Sequence, residues 1–262
     1  MDGSVHYEIN GNVAHVVVDN ATARNALTLE MCGVIASSFS LANDDPEVRA
    51  VILEGQGEHF CSGADLRAFS SLMGASDEDL RGYFSDGFHA IIRAIDRCTK
   101  PVVAVIRGAC VGFGFDMALA CDLRLASESA QFGQVFGRIG LVPDGGSSYH
   151  LPKLIGLARA KELMLLTESF DGVRAEAYGI VNRCMPEANL DSLVSEWATK
   201  LGEGAPIAMK LGLANLDAGF HGSLEDALIR EQEAQLVCLR SNDMMRGVQA
   251  FFQKKKPEFA GD

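Results

Sequence analysis

The chain has 262 residues, 48% of them hydrophobic, and its 35 acidic against 23 basic side chains give a formal net charge of −12 at pH 7. That acidity argues against non-specific nucleic-acid binding, which needs a basic footprint, and the length suits one large α/β domain with or without a helical appendage. No apolar run reaches the roughly 18 residues of a membrane span, and the opening Met1-Asp2-Gly3-Ser4-Val5-His6 lacks the features of a secretory signal, so a cytoplasmic location is expected.

Residues 7–9 and 13–18 are predicted strands around Asn10-Gly11-Asn12, a hairpin signal. Residues 28–41 have helical character, and 49–53 and 102–106 are short β-branched runs of the kind buried on both faces of a parallel sheet. Between them Phe84, Phe88, Ile91, Ile92 and Ile95 recur at helical spacing. Strand and helix alternating in this way predict parallel βαβ units. After about Leu190 the signals are helical only, at 191–202, 206–220, 224–239 and 243–253. The expected organisation is an α/β core over 1–200 and a helical C-terminal region over 201–262. Cysteines stand at 32, 61, 98, 110, 121, 184 and 238, an odd number without a C-x-x-C pair, which speaks against a disulfide framework or zinc ribbon. The histidines at 6, 15, 59, 89, 150 and 221 show no ligand spacing, so no metal is expected.

Three segments carry candidate chemistry. His59-Phe60-Cys61-Ser62-Gly63-Ala64-Asp65-Leu66 follows a strand and a Gly-rich turn, and small residues there let a ligand approach backbone N–H groups; the plainer reading is a loop with Ser62 or Asp65 as a helix cap. In Arg107-Gly108-Ala109-Cys110-Val111-Gly112-Phe113-Gly114-Phe115-Asp116, a strand ends and a helix begins, presenting unsatisfied N–H groups and the positive end of a helix dipole. Its plainer reading is close helix–strand packing at Gly112 and Gly114. Gln131-Phe132-Gly133-Gln134 then leads to Ile139-Gly140-Leu141-Val142-Pro143-Asp144-Gly145-Gly146, where Asp144 is either a proton carrier or an N-cap.

Together, and in this order, these segments resemble the crotonase superfamily, the enoyl-CoA hydratase/isomerase family. Arg24-Asn25-Ala26-Leu27 near the start, Cys121-Asp122, and the Phe-x-x-Lys-Lys-Lys-Pro-x-Phe ending agree with it, so that the resemblance covers essentially the whole chain. It implies a crotonase-like spiral of ββα units with a helical C-terminal region that forms trimers or dimers of trimers. It also implies an acyl-CoA thioester whose oxygen is held by the backbone amides of Ala64 and Phe113, with no cofactor beyond the CoA moiety of the substrate. CoA-binding positions carry over to Ala23, Arg24, Asp65 and Leu66, and Lys254-Lys255-Lys256 either meet the CoA phosphates or form a solvated helix end.

Hydratases of this family use two glutamates to activate water. Their positions fall on Asp116, one methylene shorter, and on Phe136, which carries no proton. Asp144 matches the acid that several family isomerases use to move a proton along the acyl chain. It also matches the nucleophilic aspartate of the 4-chlorobenzoyl-CoA dehalogenases, which carry a histidine matching His89. Phe113, Phe115, Phe132 and Phe136 are expected to form an apolar acyl pocket, which raises a carboxyl pKa toward neutrality. The resulting expectation is an isomerase-type proton shuttle on Asp144, with Asp116 and His89 as further candidates. The alternatives are an enoyl-CoA hydratase, an aspartate-dependent acyl-CoA hydrolase or dehalogenase, and a non-catalytic CoA-binding protein.

Overall fold

The computed structural model describes residues 3–262, among which nine strands form two sheets. The strands are β1 (Ser4–Asn10), β2 (Val13–Asp19), β3 (Ala50–Gly55), β4 (Val102–Ile106), β5 (Ala109–Val111), β6 (Leu123–Ser127), β7 (Gln131–Gly133), β8 (Phe170–Asp171) and β9 (Arg183–Met185). The larger sheet has the order β1-β2-β3-β4-β6-β9 and the smaller β5-β7-β8. The expected hairpin joins β1 to β2 antiparallel, and every other pair in the larger sheet is parallel.

Alternation along β3 and β4 explains why both faces of the larger sheet are covered. Val51, Leu53, Ala104 and Ile106 point into the main core, against the helices Leu29–Asp44 and His89–Asp96. Ala50, Ile52, Val103 and Val105 point the other way and pack with Leu190, Leu193, Val194, Trp197 and Leu201 of the helix Glu187–Gly202. A strand buried on both faces reads as an unbroken apolar run, which is how these two look in the sequence.

The helical run expected from Phe84 to Ile95 has two parts. A π-helical turn, Tyr83–Phe88, precedes the α-helix His89–Asp96. Wide turns of this kind are frequent at functional sites, and this one puts Tyr83, Phe84 and Phe88 on the wall of the cavity described below.

The helices Pro206–Gly219 and Leu224–Arg240 contain no buried residue, and Asn242–Gln253 has only Asp243 and Ala250. Large apolar side chains stand open on them: Leu216 is 74% exposed, Leu224 76% and Phe251 79%. Buried Asp243 fastens the chain end by accepting from the amides of Ala260 and Gly261 (2.7 and 2.8 Å). No helix of the described residues is long and apolar enough to cross a membrane.

Candidate active site

A cavity of about 210 Å³ opens among residues 62–66, the π-helical turn, the start of the helix Phe113–Ala120 and the stretch 135–144. Ala64 and Phe113 line one side and Asp144 another; Leu66, Tyr83, Phe84, Phe88, Phe136 and Leu141 make the rest largely apolar.

The first side is backbone. Cys61 pairs with Cys110 of β5 in a parallel bridge, its amide donating to Ala109 O (2.9 Å) while Val111 donates back to Cys61 O (3.1 Å). Leu27 pairs with Ala64 in the same way, its amide donating to Gly63 O (2.8 Å) and its carbonyl accepting from Asp65 (2.9 Å). In extended chain, successive amides point to opposite sides. Since Leu27 takes Gly63 O and Asp65 N–H, the Ala64 N–H faces away from it, and among the described residues it has no partner.

The second amide belongs to the first residue of the helix Phe113–Ala120. First-turn N–H groups have no acceptor within their own helix, and among the described residues Phe113 N–H is unpaired, whereas Phe115 and Asp116 donate to Gly112 O. A Cβ placed on Gly63 would lie 3.4 Å from Phe113 N, so the two segments nearly touch. Gly114 makes the approach possible, because a Cβ there would stand 2.3 Å from Cys61 O. At the far end of this helix the buried Arg124 donates to Ala118 O, Cys121 O and Ile180 O. A guanidinium there opposes the negative end of the dipole whose positive end faces the cavity.

The acid side centres on Asp144. Its Oδ1 is buried and has no hydrogen-bond partner among the described residues, and burial raises its pKa to about 6. A carboxyl in this range takes up or releases a proton near neutrality. Asp116 is fully buried, and its burial likewise raises its pKa to about 6. It does not line the cavity: Oδ1 accepts from Gln134 Nε2 and Oδ2 from the Gly145 amide, each at 2.8 Å. His89 Nε2 meets the backbone carbonyl of Asp144 at 2.8 Å, and His89 too is absent from the lining.

Of the four expected CoA-binding residues, Leu66 lines the cavity, Asp65 sits between the lining residues Ala64 and Leu66, and Ala23 and Arg24 are reached through the lining residue Ser62. Ser62 is stitched to Ala23 and Arg24, its Oγ donating to Ala23 O (3.1 Å) and its amide to Arg24 O (3.0 Å). Leu66 is 56% exposed at the cavity mouth. Asp65 caps the turn Leu66–Ala68 and pairs with Arg67, whose hydrogen bonds hold its carboxyl below the usual range. Arg24 and Asn25 both adopt positive φ (53° and 58°), a strained conformation for non-glycine residues. Asn25 holds it: fully buried, its Oδ1 accepts from Asn20 N (2.8 Å) and its Nδ2 donates to Gln56 O and His59 O (3.0 and 2.6 Å). Lys256 pairs with Glu203 at the far end of the chain.

Two aromatic expectations need correction. Phe132 stacks on Phe170 (5.7 Å between centroids) and meets Phe115 edge-on, with no exposure and no place on the cavity wall. Phe115 joins the same cluster, so Phe113 and Phe136 are the expected phenyl rings that line the cavity. Physically, Phe132 lies on β7 paired with Phe170 of β8, and after β7 the chain reaches the cavity from Val135 onward. The sequence reading missed Phe84 and Phe88, whose signal is the apolar helical repeat, and Tyr83 beside them. It also missed Arg138, which lines the cavity while its Nε and Nη2 donate to Thr167 O and Nη2 also to Ser169 Oγ. Among the described residues no three His, Cys, Asp or Glu side chains converge as a metal site.

The family model described as enoyl-CoA hydratase/isomerase matches residues 8–262. The chain is 34% identical over 261 residues to the peroxisomal Delta(3,5)-Delta(2,4)-dienoyl-CoA isomerase of Arabidopsis thaliana, covering 96% of this chain and 94% of that protein. It is 31% identical over 256 residues to the short-chain-enoyl-CoA hydratase of Clostridium acetobutylicum, covering 97% of each. The crystal structure of an enoyl-CoA hydratase from Bacillus anthracis superposes with a TM-score of 0.92 at 30% identity, over 100% of both chains. The crotonase-like α/β fold with its helical C-terminal region is thus the fold of this protein.

Proposed function

The chain belongs to the enoyl-CoA hydratase/isomerase family, and we propose that within it the protein is an enoyl-CoA isomerase that moves a double bond with Asp144 as its single acid–base group. The observation that carries this reading is chemical: Asp144 Oδ1 is unpartnered in the cavity wall, while the position of a second acid is held by Phe136. The Ala64 and Phe113 amides donate to the thioester oxygen. Fixed donors in a site shielded from water each lower an oxyanion barrier by roughly 3 kcal/mol.

With that oxygen held, ionised Asp144 removes a C2 proton from a 3-enoyl thioester. The C–H electrons pass into the C1–C2 bond and the negative charge rests on oxygen, giving a dienolate. Protonated Asp144 returns the same proton to C4, the double bond settles between C2 and C3, and the carboxylate is regenerated. No water is consumed, and nothing beyond the CoA moiety of the substrate is needed. The dienoyl-CoA isomerase relative supports the assignment.

Hydratase-named relatives at similar identity favour a second reading, addition of water with Asp144 or Asp116 as the acid. The two part cleanly in oxygen-18 water. Conversion of a 3-enoyl-CoA to its 2-enoyl isomer without label supports the isomerase, and label in the product supports hydration. Label appearing first on the protein assigns Asp144 as a nucleophile, and acyl-CoA binding without turnover assigns a scaffold. On the same reading the open apolar faces of the C-terminal helices are closed by other copies of the chain in a trimer or a dimer of trimers acting in the cytoplasm.

A further inference from the structure

The peptide unit that joins Asp144 to Gly145 is gripped at both polar ends. His89 Nε2 lies 2.8 Å from its carbonyl oxygen, and Asp116 Oδ2 accepts its N–H at 2.8 Å. A carbonyl only accepts, so Nε2 carries the proton and donates it. The second Asp116 oxygen is taken by Gln134, so neither is free for substrate. Gly145 seats the unit against its floor: a Cβ there would stand 2.6 Å from Asp116 Cβ and 2.8 Å from Phe113 Cε2. Fixing this plane fixes ψ of Asp144, and with it the direction in which the carboxyl leaves the backbone.

We propose that His89 and Asp116 are positioning residues, a two-ended clamp on the Asp144–Gly145 peptide that aims the Asp144 carboxyl into the cavity, and that neither exchanges protons with substrate. The inference rests on reading Asp144 as the acid–base group. It accounts for two side chains whose types suggest chemistry but whose polar atoms are spent on backbone.

The test compares deletion with conservative replacement. Removing a positioning contact a few ångströms from the chemistry costs about 10- to 100-fold, so His89→Ala and Asp116→Ala are expected to lose that much kcat with KM little changed. His89→Gln keeps an N–H for the Asp144 carbonyl. Asp116→Asn keeps an oxygen for the Gly145 amide and turns its NH₂ toward Gln134. The Gln134 Oε1 is buried and unpartnered, and an amide flip lets it accept. Both amide variants are therefore expected to stay within about tenfold of wild type, since contact geometry survives while proton exchange is abolished. If they are as inactive as Asp144→Asn, the clamp is overturned, even should the alanine variants fail to fold.

A second readout is independent of that comparison. Groups that act only through Asp144 add nothing once it is gone, so His89→Gln or Asp116→Asn in the Asp144→Asn background should leave the residual rate unchanged. A further loss beyond that seen in the single variant overturns the clamp. Full activity in Asp144→Asn alone would instead sink the acid–base reading, and the clamp with it; an inactive Asp144→Asn beside inactive amide variants sinks the clamp only.

Discussion

The two sides of the cavity are built by opposite means. The amide side contains no functional side chain: Ala64 and Phe113 present N–H groups aimed by bridge pairing and by the absence of a Cβ at Gly114. The acid side is one carboxyl on a loop whose backbone is held by side chains from two other elements. Geometry on the first side is intrinsic to the sheet and helix, whereas on the second it is borrowed from distant residues. Point substitutions should therefore damage the first side through packing and the second through chemistry.

Asp144→Asn should show the largest effect. Loss of the acid–base group costs about 10²- to 10⁴-fold in kcat for conversion of a 3-enoyl-CoA, while binding of a saturated acyl-CoA is retained. Retention of full turnover would remove the acid side from the mechanism. Gly114→Ala comes next. Its Cβ forces the helix start away from Cys61 O, and displacement of one amide donor costs about 10²- to 10³-fold in kcat. Thermal unfolding should fall with it, because this side fails through its frame; an active variant of unchanged melting temperature would show that the approach is not needed.

The pH dependence is smaller and graded. The shuttle starts from ionised Asp144, whose pKa in the unliganded protein is raised to about 6, so kcat/KM should fall as pH drops through about 6, approaching about tenfold per unit below it. The stability sign is opposite. A carboxyl whose folded pKa is raised binds protons more firmly when folded, so its contribution declines as pH rises from the ordinary aspartate range to about 6. Urea unfolding should accordingly show Asp144→Asn gaining on the wild type between pH 4 and pH 7; a constant difference would refute the shift. The smallest effect is expected at the rim, where Leu66→Ala should raise KM a few-fold, the worth of roughly 1 kcal/mol of apolar contact, with kcat unchanged. A fall in kcat instead would place Leu66 within the reacting geometry.

This asymmetry also governs what the sequence makes legible. The apolar runs at 50–53 and 102–106 announce β3 and β4 because an unbroken apolar stretch is a local property, and the glycines of 108–114 announce the amide side for the same reason. The acid side is legible only as the single letter Asp144. Its supports lie 55 positions from it at His89 and, through the Gly145 amide, 29 positions from that glycine at Asp116, and both are residue types that suggest reactivity rather than support. Phe132 misleads for a related reason. Nearness to Phe136 in sequence says nothing about which way a strand residue faces, and that is decided by pairing with β8.

The left-handed pair Arg24-Asn25 has a consequence for encounter with ligand. Because the Asn20 amide and the Gln56 and His59 carbonyls are already tied to one buried amide side chain, the backbone at this edge is held in shape before any ligand arrives. Capture then demands little ordering at that edge, so arrival should be governed by diffusion and local charge, without a wait for the loop to find its shape.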